Sequence, residues 1–541
     1  MNLKKMVLPI VFAGVLVAGL SGCNPGVEEG GDSVIQLRAY NGGYGLNWLH
    51  KVVEEFQKEH PNITFEFVEE SGLVDSKALQ EIALPSQNQI DLYFLTGIDI
   101  DLLLQRSYSA LRTRDQVLLE PLNDIYESKG IDINGEEESE TIASRLFDGY
   151  REASTYDGSF DKWNGSMFTL PWASAMTGLF VNKAVLDKFE IEIPLTSNEF
   201  VAAIEKISEE GEGEGIFPYA WGGENTAGYW SFLFETWFGQ YSGRTRFENF
   251  VKCDPGDGDI KNNGYKVYED AGILESLKAM FQILDLNYCA NGSASRYHME
   301  AQTDFIIGKS AFITGGDWAF QEMSSNYYTQ AIENEIQMLA VPMLSAIGTE
   351  IGITDEELHT LVEMIDNHST YAEIQAANPS LTDADIDRVL SARSIYDSIG
   401  GTHEIVIPSY ADAKDAAKLF VRFLYGNDGC RIFRNNAYAN LPLKYETGEG
   451  DTDTPFQRSL DKIVNYDNPH MITTSSPFNN VRNVAQLMNF NYTAWVHPNT
   501  YKSIMLDKAS TKTFSAQFIY ENELDYVRSN WSRYTAFVYW L

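Results

Sequence analysis

Apolar and polar residues change their period twice within the first seventy residues of the chain. Val34 to Ala39 predicts a strand that ends in the glycine loop Asn41 to Gly45. A helical face follows it, formed by Leu46, Leu49, Val52, Val53 and Phe56. Ile63, Phe65 and Phe67 then alternate with polar residues as the next strand. The order strand, glycine loop, helix, strand predicts the opening of a parallel α/β sheet.

Two later strands end beside residues that could bind a ligand. Asp91 to Leu95 predicts a strand that delivers Thr96 and Asp99 to the edge of the sheet. In the segment Gly308 to Glu322, an apolar strand enters Thr314, Gly315 and Gly316, where a turn is predicted, and Asp317 and Trp318 follow at the entrance to a helix. Ligands of open α/β sheets bind at such strand ends, although a core tryptophan beside a helix cap would give the same pattern.

The amino terminus predicts export and lipidation. Lys4 and Lys5 precede an apolar run, Val7 to Leu20, which is shorter than the roughly 20 apolar residues that span a bilayer. Leu20-Ser21-Gly22-Cys23 resembles the bacterial lipobox, and this resemblance implies cleavage before Cys23 and acylation of its sulfur. Residues 1–22 are then a signal peptide and 23–33 a lipidated tether.

Acidic residues outnumber basic residues in the rest of the chain. Loss of Lys4 and Lys5 changes the formal charge from −37 to −39, which disfavours nucleic acid and anionic lipid as partners. The eight histidines are dispersed and no cysteine cluster occurs, so neither a metal nor a cofactor is predicted. Cys253 and Cys289 could pair in an exported protein, with Cys430 left free, but the sequence does not fix this connectivity.

Four segments together resemble the bacterial extracellular solute-binding proteins of ABC importers, the family that contains maltose-binding protein. They are Glu54 to Phe67, Asp91 to Gly97, Leu170 to Lys183 and Ile407 to Phe433, and Gly308 to Glu322 is similar to the family's strand and G-x-W segment. The resemblance implies two Rossmann-like α/β lobes joined by a hinge, the type II periplasmic binding-protein-like fold.

The implied domains are lobe 1 (34–170 and 405–455), lobe 2 (171–342 and 456–541) and a helical insertion near the hinge (343–404). Capping boxes at Thr354 and Thr382 predict two helices in the insertion, the second ending at Gly400 and Gly401.

A carbohydrate site needs flat aromatic faces beside side chains that both donate and accept hydrogen bonds. The candidates from lobe 1 and the first crossing are Asn41, Tyr44, Thr96, Asp99, Trp172 and Ser174. Those from lobe 2 are Trp221, Glu224, Asn225, Tyr229, Trp230, Asp317 and Trp318, with Trp495 as a further platform. Each aromatic residue could instead be a core residue.

The sequence therefore favours a monomeric, non-enzymatic, lipid-anchored subunit on the outer face of the bacterial membrane. It would bind a carbohydrate, with an oligosaccharide favoured, and deliver it to the permease subunits of an ABC importer. One alternative is a secreted glycoside hydrolase that uses Glu224 and Asp317 as acid and base. Another is the same fold binding a peptide, a polyamine or another non-sugar solute.

Overall fold

The computed structural model describes residues 32–71, 75–111, 116–157, 160–399, 403–448, 451–464, 469–473, 501–506 and 515–538. Cys23, the predicted signal peptide and Trp495 lie outside these residues.

Thirteen named strands occur in the described residues, and most of them belong to two sheets. They are β1 Ser33–Tyr40, β2 Ile63–Glu70, β3 Leu92–Leu95, β4 Lys129–Ile131, β5 Glu137–Thr141, β6 Leu170–Pro171, β7 Met176–Val181, β8 Phe217–Ala220, β9 Ser310–Gly316, β10 Gln337–Leu339, β11 Ile395–Ser398, β12 Glu404–Val406 and β13 His470–Ile472.

The α-helices cover the faces of these sheets and form the insertion. They are α1 Asn47–Glu59, α2 Asp75–Ile82, α3 Ile100–Leu111, α4 Asn123–Glu127, α5 Ile142–Arg145, α6 Tyr150–Ser154, α7 Lys183–Lys188, α8 Ser197–Gly211, α9 Ser231–Ser242, α10 Arg244–Lys252, α11 Ile260–Asn263, α12 Ala271–Ile283, α13 His298–Ile306, α14 Trp318–Glu333, α15 Ala346–Ile351, α16 Asp355–Asp366, α17 Tyr371–Ala377, α18 Asp383–Arg393, α19 Lys414–Leu424, α20 Asn427–Ala437, α21 Pro455–Val464 and α22 Ala516–Val538.

The first sheet has the strand order β2-β1-β3-β12-β6. β1 pairs in parallel with β2 and β3, as the opening of the sequence predicts. β12 comes from far along the chain and lies antiparallel between β3 and β6. The carboxyl ends of β1 and β3 and the amino end of β12 therefore meet at one edge of this sheet.

The second sheet has the order β13-β11-β7-β9-β8, with β10 also paired to β7. All seven residues of β9 are buried, and Gly315 and Gly316 pair with Gly178 and Thr177 of β7. The predicted turn at these glycines is therefore wrong: the strand runs through them, and the chain leaves the sheet at Asp317. The side of this sheet that faces α13, α14 and α21 shares one apolar core with a face of the first sheet.

The chain passes between the two sheets at short crossings. It leaves the first sheet at Pro171 and enters the second at Met176, and it returns between Ser398 and Glu404. Asn182 then caps α7, accepting a hydrogen bond from Val185 N at 3.2 Å. This two-sheet arrangement is the predicted α/β fold, whereas the exact lobe boundaries stay a prediction.

Residues 346–393 form four helices, α15 to α18, where the sequence predicts two. The capping boxes of α16 at Thr354 and α18 at Thr382 are both present, and α17 has a third at Thr370. The predicted end of the last helix at Gly400 is wrong, because α18 ends at Arg393 and buried β11 follows. The Arg393 guanidinium is buried, pairs with Asp366 at 2.7 Å and donates to Val341 O at 3.1 Å, which fastens the helices to lobe 2.

The carboxyl-terminal helix α22 packs against α12 and against residues 264–269 of lobe 2. Among the described helices, none is long and apolar enough to cross a membrane. Cys253, Cys289 and Cys430 are buried free thiols, so the pairing that the sequence left open does not occur in the structure.

Candidate functional site

The loop after β1 brings the first lobe into contact with the second. Tyr44 is buried there, and its ring lies 6.3 Å from that of Trp318 and 5.5 Å from that of His403. Gly43 faces Trp318 so closely that a Cβ at this position would lie 2.5 Å from the indole. Glycine is therefore required where the two lobes touch.

Asp317 is the polar centre of this contact. The Tyr44 hydroxyl donates to one carboxylate oxygen, and the Ser174 hydroxyl donates to the other at 2.7 Å. Burial raises the pKa of Asp317 to about 6, although these donors oppose the shift. Asp317 makes no helix-cap bond through its side chain, so the capping alternative does not apply. Three segments, the β1 loop, the first crossing and the end of β9, thus meet at one carboxylate.

Trp318 is half-buried at the first turn of α14. Its ring stacks on that of His403 with centroids 6.1 Å apart and meets the Tyr229 ring edge-on at 6.5 Å. Trp318, at the start of α14, therefore contacts both the second crossing and the lobe 2 loop that carries Tyr229. A stacking platform is predicted at this position.

The other candidate tryptophans lie deeper. Trp172 is buried, stacks on Trp48 at 5.7 Å and donates from Nε1 to Leu95 O at 2.8 Å. Trp230 is buried against Tyr219 at 4.2 Å, and Trp221 is buried beside Gly223. Neither of their Nε1 atoms has a hydrogen-bond partner among the described residues. These three rings support the walls of the site, and their contact with a ligand remains a prediction.

The remaining lobe 2 candidates lie on one loop. Glu224 and Asn225 are exposed, and Tyr229 is half-buried. Asn225 Oδ1 accepts from His298 N at 2.8 Å, which ties the loop to α13. Lys502 Nζ lies 3.7 Å from Glu224 and donates to Gly223 O at 3.0 Å.

In lobe 1, Asn41 is exposed, while Thr96 and Asp99 are half-buried. The Thr96 hydroxyl donates to Asp75 Oδ2 at 2.9 Å, and Asp99 accepts from Leu102 N at 2.8 Å at the start of α3. Asp99 therefore accepts a hydrogen bond from the first turn of α3, whereas Thr96 orients Asp75.

Sequence reasoning missed five residues near the facing edges of the two lobes: Tyr40, Asp75, Glu322, His403 and Glu404. Tyr40 could have been found, because it is the last residue of β1. Glu404 gave no signal, since a carboxylate at the start of a buried strand contradicts the usual pattern. Its side chain is 2% exposed, and neither oxygen has a hydrogen-bond partner of good geometry among the described residues. Burial raises the pKa of Glu404 to about 8, although the nearby Ile98 N–H and Thr169 hydroxyl oppose the shift.

Two α/β lobes with chain crossings between them and an aromatic, polar contact at their facing edges define a solute-binding protein of the type II periplasmic binding-protein-like fold. Residues 42–429 match the family described as "Bacterial extracellular solute-binding protein", and the chain belongs to that family. No curated protein sequence matches the chain.

Solved structures share this fold at low sequence identity. A chitin oligosaccharide binding protein is 18% identical with a TM-score of 0.57, and the match covers 93% of this chain and all of that one. A protein from work on xylan utilization by Caldanaerobius polysaccharolyticus is 12% identical with a TM-score of 0.59, covering 91% of this chain and all of that one. RafE in complex with raffinose is 13% identical with a TM-score of 0.51, covering 92% and 99%.

Proposed function

We propose that this protein is the lipid-anchored substrate-binding subunit of an ABC importer for a carbohydrate, with an oligosaccharide favoured. The observation that carries the proposal is the position of Trp318 of lobe 2, which lies against Gly43 of the lobe 1 glycine loop, stacks on His403 of the second crossing and meets Tyr229 edge-on. An aromatic face beside polar groups from both lobes suits the apolar ring faces and the hydroxyls of a sugar. The sugar-binding proteins that share the fold support the same ligand class.

Lobe closure is the mechanism that this arrangement supports. The lobes are proposed to be 34–170 with 405–455 and 171–342 with 456–541, with the insertion at 343–404. A ligand that contacts both lobes favours the closed form by the difference between its affinities for the closed and open forms. The permease would then recognise the closed form. The hydrolase alternative loses support, because Asp317 is bound by Tyr44 and Ser174 and Glu224 is exposed beside Lys502.

A thermal-shift screen of the protein from Ser33 onward tests the ligand class. Oligosaccharides, amino acids, peptides and polyamines are compared, and sugar hits are checked for cleavage. A ligand at a hundredfold excess over its Kd adds about 2.7 kcal/mol of stability. A stabilising sugar recovered intact supports the proposal. Stabilisation by peptides alone would refute the carbohydrate assignment, and a cleaved sugar would favour the hydrolase.

Trp318→Ala tests the platform, with Trp163→Ala as its control. Trp163 is also half-buried, but its ring contacts Phe168 within lobe 1. Loss of a central aromatic contact is expected to weaken sugar binding at least about tenfold. Equal affinities of the two variants would count against the platform.

Lipid anchoring at Cys23 is tested in cells by Cys23→Ala. The expected result is release of the protein from the membrane fraction. Unchanged retention would contradict an anchor at this cysteine.

A further inference from the structure

His403 lies in the second crossing, where the chain returns to the first sheet, and its side chain is 7% exposed. Its ring stacks on that of Trp318, with centroids 6.1 Å apart and planes inclined by 25°. It meets the rings of Trp172 and Tyr44 edge-on, at 4.8 Å and 5.5 Å. One imidazole therefore contacts the start of α14, the first crossing and the β1 loop.

The imidazole of His403 is attached to the first sheet. The next residue, Glu404, begins β12 and pairs with Leu95 and Pro171. The His403 carbonyl accepts a hydrogen bond from Trp172 N at 2.8 Å. Trp172 in turn donates from Nε1 to Leu95 O at 2.8 Å. The ring of His403 therefore has a fixed place relative to lobe 1.

Trp318 is attached to the second sheet instead. It follows β9 as the first residue of α14, and the residue before it, Asp317, donates from its backbone N to Met176 O of β7 at 2.8 Å. The stack of His403 on Trp318 therefore joins the two sheets beside their crossings. A change in the angle between the lobes at these crossings would separate the two rings.

Histidine suits this position because it is uncharged there. Burial lowers the pKa of His403 to about 4, although a hydrogen bond with the Ile399 backbone opposes the shift. The neutral ring can stack on an indole and keep this hydrogen bond at the same time. A phenylalanine at this position would keep the ring without the hydrogen bond, and an asparagine would keep a donor without the ring.

We propose that His403 is a positioning residue of the binding site, which holds the Trp318 indole in the orientation that stacks on a sugar. This inference rests on the proposed function, since it takes Trp318 as the platform. Because His403 is fixed to lobe 1, Trp318 has this support only when the lobes are closed. Ligand stacking and lobe closure are then coupled through one ring, which acts through Trp318 and does not touch the sugar.

The first test observes Trp318 directly and needs no ligand. Fluorinated tryptophan replaces the ten tryptophans, and the fluorine resonance of Trp318 is assigned by its loss in Trp318→Phe. The exposure of this resonance is measured as its shift between light and heavy water. The exposure is expected to increase in His403→Ala and His403→Asn, which lack the ring, and to stay at the wild-type value in His403→Phe.

The second test connects the ring to binding, by calorimetry with raffinose, xylotetraose and tetrameric N-acetylglucosamine. For a sugar that binds, His403→Ala and His403→Asn are expected to weaken the affinity by about threefold to tenfold, the contribution of one aromatic pair. His403→Phe is expected to stay within about twofold of wild type. In a Trp318→Ala background the His403 variants are expected to have no further effect, because the support then has nothing to position.

His60→Ala is the matched control for both tests. The ring of His60 also packs on an aromatic residue, Phe56, at 4.5 Å, but it lies at the end of α1 within lobe 1. This variant is expected to match wild type in Trp318 exposure and in sugar affinity. Thermal melting checks the folding of every variant, and His403→Asn carries both tests if His403→Ala does not fold.

The outcomes separate this inference from the proposed function. Unchanged exposure of Trp318 in the variants that lack the ring overturns the inference. A loss of affinity that is as large in the Trp318→Ala background as in wild type also overturns it, since His403 would then not act through Trp318. Failure of every sugar to bind counts against the proposed function, while the fluorine measurement still decides whether His403 holds Trp318.

Discussion

The hydroxyl of Tyr44 is expected to hold the two lobes together. Tyr44→Phe keeps the ring, which packs against Trp172 at 5.6 Å and Phe433 at 6.0 Å, and removes the hydrogen bond to Asp317. Asp317 is fully buried and keeps Ser174 as its remaining side-chain donor. The perturbation therefore acts on one bond between the β1 loop and the end of β9.

The magnitude follows from the charge of Asp317. Its pKa is raised to about 6, so it is ionised at pH 7.5. A hydrogen bond to a charged group contributes about 1.5–3 kcal/mol, which changes the ratio of closed to open protein by about 10-fold to 100-fold. At pH 5 the carboxyl is protonated, and the effect is expected to shrink to about fivefold, that of a neutral hydrogen bond.

Two measurements check this prediction. Small-angle scattering of the free protein is expected to give a larger radius of gyration for Tyr44→Phe, and calorimetry a correspondingly weaker ligand affinity at pH 7.5. Tyr126→Phe is the control, because the Tyr126 hydroxyl donates to Thr169 O at 2.7 Å within lobe 1. If Tyr44→Phe has the wild-type radius and binds within twofold of wild type at pH 7.5, the bond does not control closure.

Three further predictions concern stability and chemistry. Burial raises the pKa of Glu404 from 4.5 to about 8, so the native state retains a proton that the unfolded state has lost, and wild-type stability falls between these pH values. Glu224→Gln, at an exposed position, is the control. Relative to this control, the free energy of unfolding of Glu404→Gln is expected to rise by up to about 5 kcal/mol by pH 9. If the difference between the two variants is the same from pH 5 to pH 9, the prediction is contradicted. Arg393→Met is expected to cost about 3 kcal/mol in denaturant unfolding, because it breaks a buried pair. Arg528→Met, at an exposed pair with Glu269, should cost much less, and equal costs would contradict the anchoring role. Alkylation of denatured, unreduced protein beginning at Ser33 is expected to modify all three cysteines. If only one cysteine is modified, the other two form a disulfide.

Local sequence patterns predict the parts of the fold in which the spacing of apolar residues matches the positions that are buried. The amphipathic face of α1 and the capping boxes of α16 and α18 depend on neighbouring residues, so the sequence is sufficient for them. The path of β9 was missed because Gly315 and Gly316 usually break strands. Here they pair with β7, and a Cβ on Gly316 would lie 2.0 Å from the Trp318 ring.

The candidate site was harder to predict than the fold. Trp172 and Trp318 each lie just after a strand, yet one is buried against Trp48 and the other reaches the contact between lobes. Tertiary packing decides which face of an indole is covered, and local sequence carries little of that information. Glu404 and Asp75 are far apart along the chain, so their proximity required the β12–β3 pairing.

The position of β12 in the first sheet has a consequence for biosynthesis. β12 separates β3 from β6, although it follows both of them by more than two hundred residues in the chain. An amino-terminal fragment that stops before Glu404 therefore lacks an inner strand and leaves two exposed edges, and β13 similarly completes the other sheet from residues 470–472. Neither sheet can be completed until most of the polypeptide has been made. Such late, long-range pairing slows folding, so this chain is expected to stay unfolded longer than one whose sheets are completed early.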